Sequence, residues 1–588
     1  MVTIPNFLLR RLYVRGSLRN TPEGCAFALK NGIDTGTVTA IPRVEIDGVS
    51  YPAGVLAVHV PGEGTFPGTA ITPQAPLSLG VGMTVTVRLT GMVLQPGEHT
   101  LKVQIQAQEL GKVEIKVKDR VRELDGAEIE RQGALEQEQP EEQKVPGAGH
   151  GSRSIKVAIL GAGSTVFARR LMADLLCTPG LEQGTFALVD IDPRRLELAH
   201  RIGEELVQTS GRDWTVVAET DRLQVLAGCD YVINSIEVAG LRNVRPDYEI
   251  PLKYGVDQCI GDTIGPGGIF KMLRTGPAWQ EILRDMERLC PRAVVMNYTN
   301  PLSALTLLAL RATDLQVVGL CHSVQGTSRQ LAGYLDVPYE ALRFRCAGIN
   351  HLAWFTELAF QGEDMYPRLR QAAHDAEIYE CDPVRFEVLL HLSAFVTESS
   401  GHFSEYVPYF RKRPDLLARY TREGYRGESG FYANNWPRWR AEAEATIQAQ
   451  LADHSKVTLQ RSSEYASFIV EAMETNHPAV IHGNVLNTGL IDNLPAGGCV
   501  EVPVLVDGGG LHPTHFGQLP PQLAALDAAH MYVHELMVEA VLGQNRGAAL
   551  HALMLDPLTA AVCSPAEIRA MFEEMWEAER EDLAMFEE

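Results

Sequence analysis

The chain has 588 residues, 45% of them hydrophobic, and a formal net charge of −22 at pH 7. That length exceeds one compact core and predicts two or three domains. The acidic surplus repels phosphate backbones and anionic lipid, which argues against nucleic acid or a membrane surface as partner. No apolar run reaches the roughly 20 residues of a membrane span. In the N-terminal MVTIPNFLLRRLYVRG, Arg10, Arg11 and Arg15 follow the short apolar stretch, whereas a secretory leader carries its charges first. Ten cysteines without framework spacing read as free thiols of a reducing cytoplasm.

Residues 1–118 read as β. Val44, Ile46, Val49 and Tyr51 alternate around Asp47-Gly48, a hairpin signal. Met83, Val85, Val87 and Leu89 alternate likewise, as do Leu101, Val103 and Ile105, and then Val113, Ile115 and Val117. This period of two predicts a small accessory β-sandwich or barrel. No catalytic constellation stands in it, so both a docking role and a structural role are open. Residues 119–153 turn polar and rich in Glu and Gln, and predict a linker.

From Ile155 onward, strand-length apolar runs alternate with helical segments: IKVAILGAG, FALVDID, YVINSI, AVVMNYTNP and VVGLCHS. This predicts an α/β fold over 154–345, a Rossmann-like parallel sheet covered by helices on both faces. Residues 346–588 are mixed and predict an α+β second domain with a helical end, for which LAALDAAHMYVHELMVEAVL has the periodicity.

Gly161-Ala162-Gly163-Ser164 follows the first buried strand and opens a helix, a place where backbone amides can approach a pyrophosphate. Val166 stands where the third glycine of the usual fingerprint belongs. Asp190 ends the next strand, placed to accept from a ribose 2′-hydroxyl, which favours NAD over NADP. Asn234, at the end of YVINSI, is a further candidate for the cofactor.

Four segments then carry a resemblance: CIGDTIGPGG at 259–268, MNYTNP at 296–301, CHSV at 321–324 and GINH at 348–351. Their order and spacing resemble glycoside hydrolase family 4 over roughly residues 154–545, with the β region outside the pattern. The resemblance implies a fold similar to lactate and malate dehydrogenases, a homo-oligomer, and a requirement for NAD and a divalent cation, usually Mn²⁺. The CHSV segment looks like the α-galactosidase subgroup. Relatives with other residues there act on α-glucosides, glucuronides or phosphorylated sugars. The family is an exception to the two-carboxylate scheme of sugar hydrolysis. Its route oxidises the sugar at C3, removes the acidified C2 proton, expels the aglycone, adds water and returns the hydride.

Carried over residue by residue, Cys321 and His351 match the cation ligands, although sulfur and imidazole alone suit Mn²⁺ only moderately. His322 is open to three roles: a third ligand, a group behind the ligands, or a sugar contact. The segment Ser400–Tyr406 resembles the stretch with the catalytic tyrosine, making Tyr406 the base, with Glu405 and His402 as rivals. Asp262 is the named acid for the leaving group. Some relatives have Asp directly after the ligand Cys, where this chain has His322. Asn297 and Asn300 are read as contacts to sugar or nicotinamide ribose, and Arg274 as a sugar clamp or a surface pair. A 2-hydroxyacid dehydrogenase would explain the Gly161 turn but not Cys321 with His351. A non-catalytic sugar or NAD sensor is the remaining alternative.

Overall fold

The computed structural model describes residues 12–121, less short stretches at 15–16, 22–23, 31–35, 61–63, 74, 80–82, 96 and 108–110, and residues 153–586, less 454–456. The chain forms two compact units, Met1–Gly149 and His150–Glu588. The expected linker lies largely outside the described residues. The strand Gly111–Arg120 takes its first two positions.

The N-terminal unit is all antiparallel β. One five-stranded sheet runs Arg19–Thr21, Gly24–Lys30, Thr84–Thr90, Leu56–Val60, Gly64–Pro67. The other contains Gly111–Arg120, Glu98–Ala107, Gly36–Ile46 and Val49–Pro52, with Leu77–Leu79 paired to the third. Ile46 pairs with Val49 across Asp47-Gly48, both at positive φ, as the dipeptide predicts. The alternating residues of both sheets, among them Phe27, Val58, Val87, Val44, Val103 and Ile115, meet in one apolar core.

In the second unit six parallel strands come first: Ile155–Leu160, Gln183–Val189, Asp213–Glu219, Tyr231–Asn234, Val294–Asn297 and Gln316–Leu320. Numbered along the chain, their order across the sheet is 3-2-1-4-5-6, the dinucleotide-binding order, with its switch point between the first and fourth. Both faces are covered, so these strands are apolar on both sides: Val157, Ala158, Ile159 and Leu160 are all buried. Asp213–Glu219 differs. As the edge strand it alternates with exposed positions, and the search for continuous apolar runs missed it.

The expected boundary at 345/346 falls inside the strand Leu342–Ile349 and does not separate two bodies. The sheet continues across it. Ala479–Leu486 pairs antiparallel with Gln316–Leu320, followed by Cys499–Asp507, Leu342–Ile349 and Leu352–Phe360. One 13-stranded sheet therefore spans the unit. The late helix forms at Pro521–Leu542. Among the described residues no helix is long and apolar enough to cross a membrane.

Candidate active site

Parallel pairing fixes where the strands end. Leu160 lies beside Val189 and Asn234, Asn234 beside Asn297, and Asn297 beside Gly319. Gly161, Asp190, Asn297 and Cys321 are thus delivered to one carboxyl edge, the side on which such sheets bind ligands.

At the switch point, Gly161 has φ +77° and a Cβ there would lie 2.4 Å from the Ser235 carbonyl oxygen. A Cβ on Gly163 would lie 2.5 Å from Asp190 Oδ2, which accepts the Gly163 amide at 2.7 Å. The turn is therefore closed to any side chain. The helix Thr165–Cys177 begins at Ser164 without a side-chain cap, leaving its first amides for a ligand. These features fit a dinucleotide. Asn234 and Asn297 are buried and bond one another, Asn234 Nδ2 to Asn297 Oδ1 at 2.9 Å.

Cys321 follows Gln316–Leu320. His351 sits in the two-residue turn between Leu342–Ile349 and Leu352–Phe360 at φ +65°. A left-handed histidine costs about 1–3 kcal/mol, and such strain collects at functional positions. The two side chains meet. Burial alone would raise the Cys321 thiol, but hydrogen bonding and charge from His351, with His322 beyond, bring it down to about 7. Burial alone would lower His351, but Cys321 and Glu398 lift it to about 10. The pair is a thiolate facing an imidazolium, the sulfur form a cation requires.

Two further donors were not assigned to the cation from the sequence. Ligand atoms of His351, Glu398 and His402 lie within 4.8 Å of one another. Glu398 Oε2 is 3.5 Å from His351 Nε2, and the Glu398 carboxyl is held down against its burial by His351 and His402. His402 Nε2 is buried without a hydrogen-bond partner, as are both side-chain amide atoms of Asn350. Orphaned buried groups cost about 1–3 kcal/mol each, and a bound ligand satisfies them. A hard carboxylate beside sulfur and imidazole also improves the match to Mn²⁺. The donor set fits a divalent cation.

The helix Ser400–Tyr406 is buried throughout and places His402 and Tyr406, four residues apart, on one face. Tyr406 Oη is 3.2 Å from His351 Nδ1. Burial first, then the charges of Glu398, Asp262, Glu405 and Cys321, push its phenol well up. Glu405 is not free to move protons. Its carboxylate accepts the amides of Cys259, Ile260 and Gly261 at 2.6, 2.6 and 3.0 Å, anchoring the Gly-rich loop.

Three expected roles need correction. Asp262 does not suit a general acid: its burial is outweighed by Lys271, His402, Thr263 and Asn300, which hold its carboxyl at about 2. Asn300 Nδ2 donates to it at 3.1 Å, and Lys271, buried and unnoticed in the sequence, lies 3.6 Å away while pairing Glu237 at 2.9 Å. Asn297 is spent internally on Asn234, Thr299 and Thr306. Arg274, side chain 1% exposed, is locked between Asp247 at 2.7 Å and Glu579 at 2.6 Å and neither clamps a sugar nor pairs on the surface. Arg274→Met leaves Asp247 uncompensated and is expected to cost about 3–5 kcal/mol. Urea unfolding measures it, and an unchanged midpoint with a raised KM would return Arg274 to the sugar. His322 stands half-exposed beside the site, its Nε2 2.5 Å from the buried Glu464 Oε1.

A Rossmann-like sheet with a thiolate, imidazoles and a carboxylate gathered beside its switch-point edge defines an enzyme of the dehydrogenase-like fold adapted to hold a cation. Within that class the chain belongs to glycosyl hydrolase family 4. Residues 156–337 match the model Family 4 glycosyl hydrolase, and 346–559 match the Family 4 glycosyl hydrolase C-terminal domain. The alpha-galactosidase of Bacillus subtilis (strain 168) is 39% identical over 429 residues, 72% of this chain and 98% of that protein. The alpha-galactosidase of Rhizobium meliloti (strain 1021) is 36% identical, over 72% of this chain and 88% of that one. The solved structure of the Bacillus subtilis protein lplD superposes with TM-score 0.65 at 27% identity, covering 72% of this chain and 99% of that one. Separately, residues 8–122 match the model Hydroxymethylglutaryl-CoA reductase, N-terminal domain.

Proposed function

We propose that the chain hydrolyses α-galactosides with NAD and a divalent cation, Mn²⁺ being the best match to the donors. The observation that carries this reading is the meeting of Cys321 and His351 at the edge that holds the Gly161 turn, with Tyr406 hydrogen-bonded to His351. The choice of galactoside rests on the CHSV segment and on the two alpha-galactosidases at 39% and 36% identity.

NAD, when bound, supplies a two-electron acceptor for a sugar carbon, and the cation supplies a Lewis acid for the neighbouring hydroxyl oxygens. The residues do the rest. Gly161, Gly163 and Ser164 receive the pyrophosphate on backbone amides, and Asp190 takes the adenosine ribose. Cys321 and His351 hold the cation, joined by Glu398 and His402. Tyr406 Oη takes the proton from the acidified carbon. Asp262 stays ionised and, with Asn300 and Lys271 fixed around it, accepts sugar hydroxyls. His322, braced by Glu464, faces the sugar as the residue that distinguishes this subgroup. The ten free thiols and the thiolate ligand suit a reducing cytoplasm, and the family resemblance implies a homo-oligomer.

A panel of nitrophenyl α-galactoside, α-glucoside and α-glucuronide tests the reading, with NAD, Mn²⁺ and reductant each present or omitted. We expect turnover of the galactoside alone, lost on chelation and restored by Mn²⁺. Turnover that survives chelation overturns the cation assignment, and preference for another sugar overturns the substrate.

A further inference from the structure

The helix Phe431–Ala452 lies outside the six-stranded half in sequence yet packs on three of its helices, Thr165–Cys177, Pro193–Ser210 and Leu241–Lys253. Those three follow the first, second and fourth strands, the ones that border the switch point. At its start the Gly430 amide donates to the Gln258 carbonyl at 2.8 Å and the Tyr432 amide to the Cys259 carbonyl at 3.0 Å, beside the loop that carries Asp262. Further on, Glu444 pairs with Arg194 in the first turn after the second strand. The helix therefore runs from the catalytic loop to the adenosine end of the crevice.

Between those anchors stands Arg440. Its Nη1 would lie 3.2 Å from a Cβ on Gly240, the residue that starts Leu241–Lys253 at φ +53° without a side-chain cap. Its other cationic neighbour is Arg195, in the first turn of Pro193–Ser210 and three residues past Asp192. Burial first, and then Arg440, hold the Arg195 guanidinium below its ordinary value. Two guanidiniums thus face one another near the positive ends of two helices, an arrangement that repels itself. Glu444, the carboxylate next along the helix, is taken by Arg194 instead. An anion placed between them removes the repulsion, and a guanidinium fork matches phosphate oxygens.

We infer that Arg195 and Arg440 clamp the dinucleotide's pyrophosphate from the side opposite the Gly161 turn. The inference rests on the NAD reading above. It gives Phe431–Ala452 the task of supplying a phosphate ligand that the six-stranded half lacks. The ligand is the pyrophosphate rather than an NADP 2′-phosphate, because Asp190 beside Arg195 repels a phosphate at the ribose.

Calorimetric titration of the full chain with NAD, ADP-ribose, adenosine and NADP tests this without turnover. R440M and R195M are expected to weaken NAD and ADP-ribose at least about tenfold, leave adenosine unchanged and flatten the salt dependence of NAD binding, while R440K retains most of the affinity. NAD affinity unchanged in both variants overturns the clamp and leaves the NAD reading intact. Failure of the wild-type chain to bind NAD removes the NAD reading itself. A loss confined to NADP places the arginines at the 2′-phosphate and also overturns the proposal.

Discussion

Cys321→Ser is expected to abolish cation-dependent turnover, by at least about 10²–10³-fold in kcat, while NAD still binds. The hydroxyl of serine fits the space but does not ionise near neutrality. In the native chain the thiol is drawn down to about 7 by His351 and His322 against the opposing effect of burial. Without the thiolate, His351, Glu398 and His402 remain, with one anionic donor in place of two. Manganese titration followed by electron paramagnetic resonance, together with NAD titration, separates the two sites. Tight Mn²⁺ binding and full activity in the variant would remove sulfur from the cation site.

Tyr406→Phe is expected to lower kcat by about 10²–10⁴-fold, the range for a positioned proton-transfer group, with little change in cation affinity. The native phenol is buried among four negative groups, all of which oppose the phenolate. A cation held by Cys321 and His351, whose Nδ1 is 3.2 Å from the phenol oxygen, supplies the compensating charge. The two variants are therefore coupled: removing the cation also removes the base. Exchange of the sugar C2 hydrogen with solvent deuterium reads the step directly. It should accompany wild-type turnover and vanish in Tyr406→Phe. Hydrolysis without exchange in the wild type would exclude the elimination route.

Features encoded in consecutive residues were legible in the sequence. The Gly161 turn needs only a buried strand, small residues and a following helix, and the Asp47-Gly48 hairpin needs only its flanking alternation. Cys321 and His351, 30 residues apart, were found by resemblance, since no local spacing joins a strand end to a hairpin turn. Glu398 escaped because it precedes its helix by two positions, where nothing distinguishes it from a surface carboxylate. Arg274 and Asn297 were misread for a common physical reason. A polar side chain near a Gly-rich loop looks available until its partners are known, and those of Arg274 lie 27 and 305 residues away. Asp262 was placed correctly, but the ammonium that fixes its charge sits nine positions later inside the helix Gly265–Leu289.

The seam between Gln316–Leu320 and Ala479–Leu486 has a mechanical consequence. Cys321 is attached to the strand on one side of that seam, while His351 ends a strand that belongs to the other. Because backbone hydrogen bonds stitch the two sides together, they cannot swing apart like jaws around an arriving sugar. Substrate must enter a vessel whose walls are already set. The rearrangements of the cycle then fall to loops and side chains, and the spacing of sulfur and imidazole is maintained while the sugar changes oxidation state.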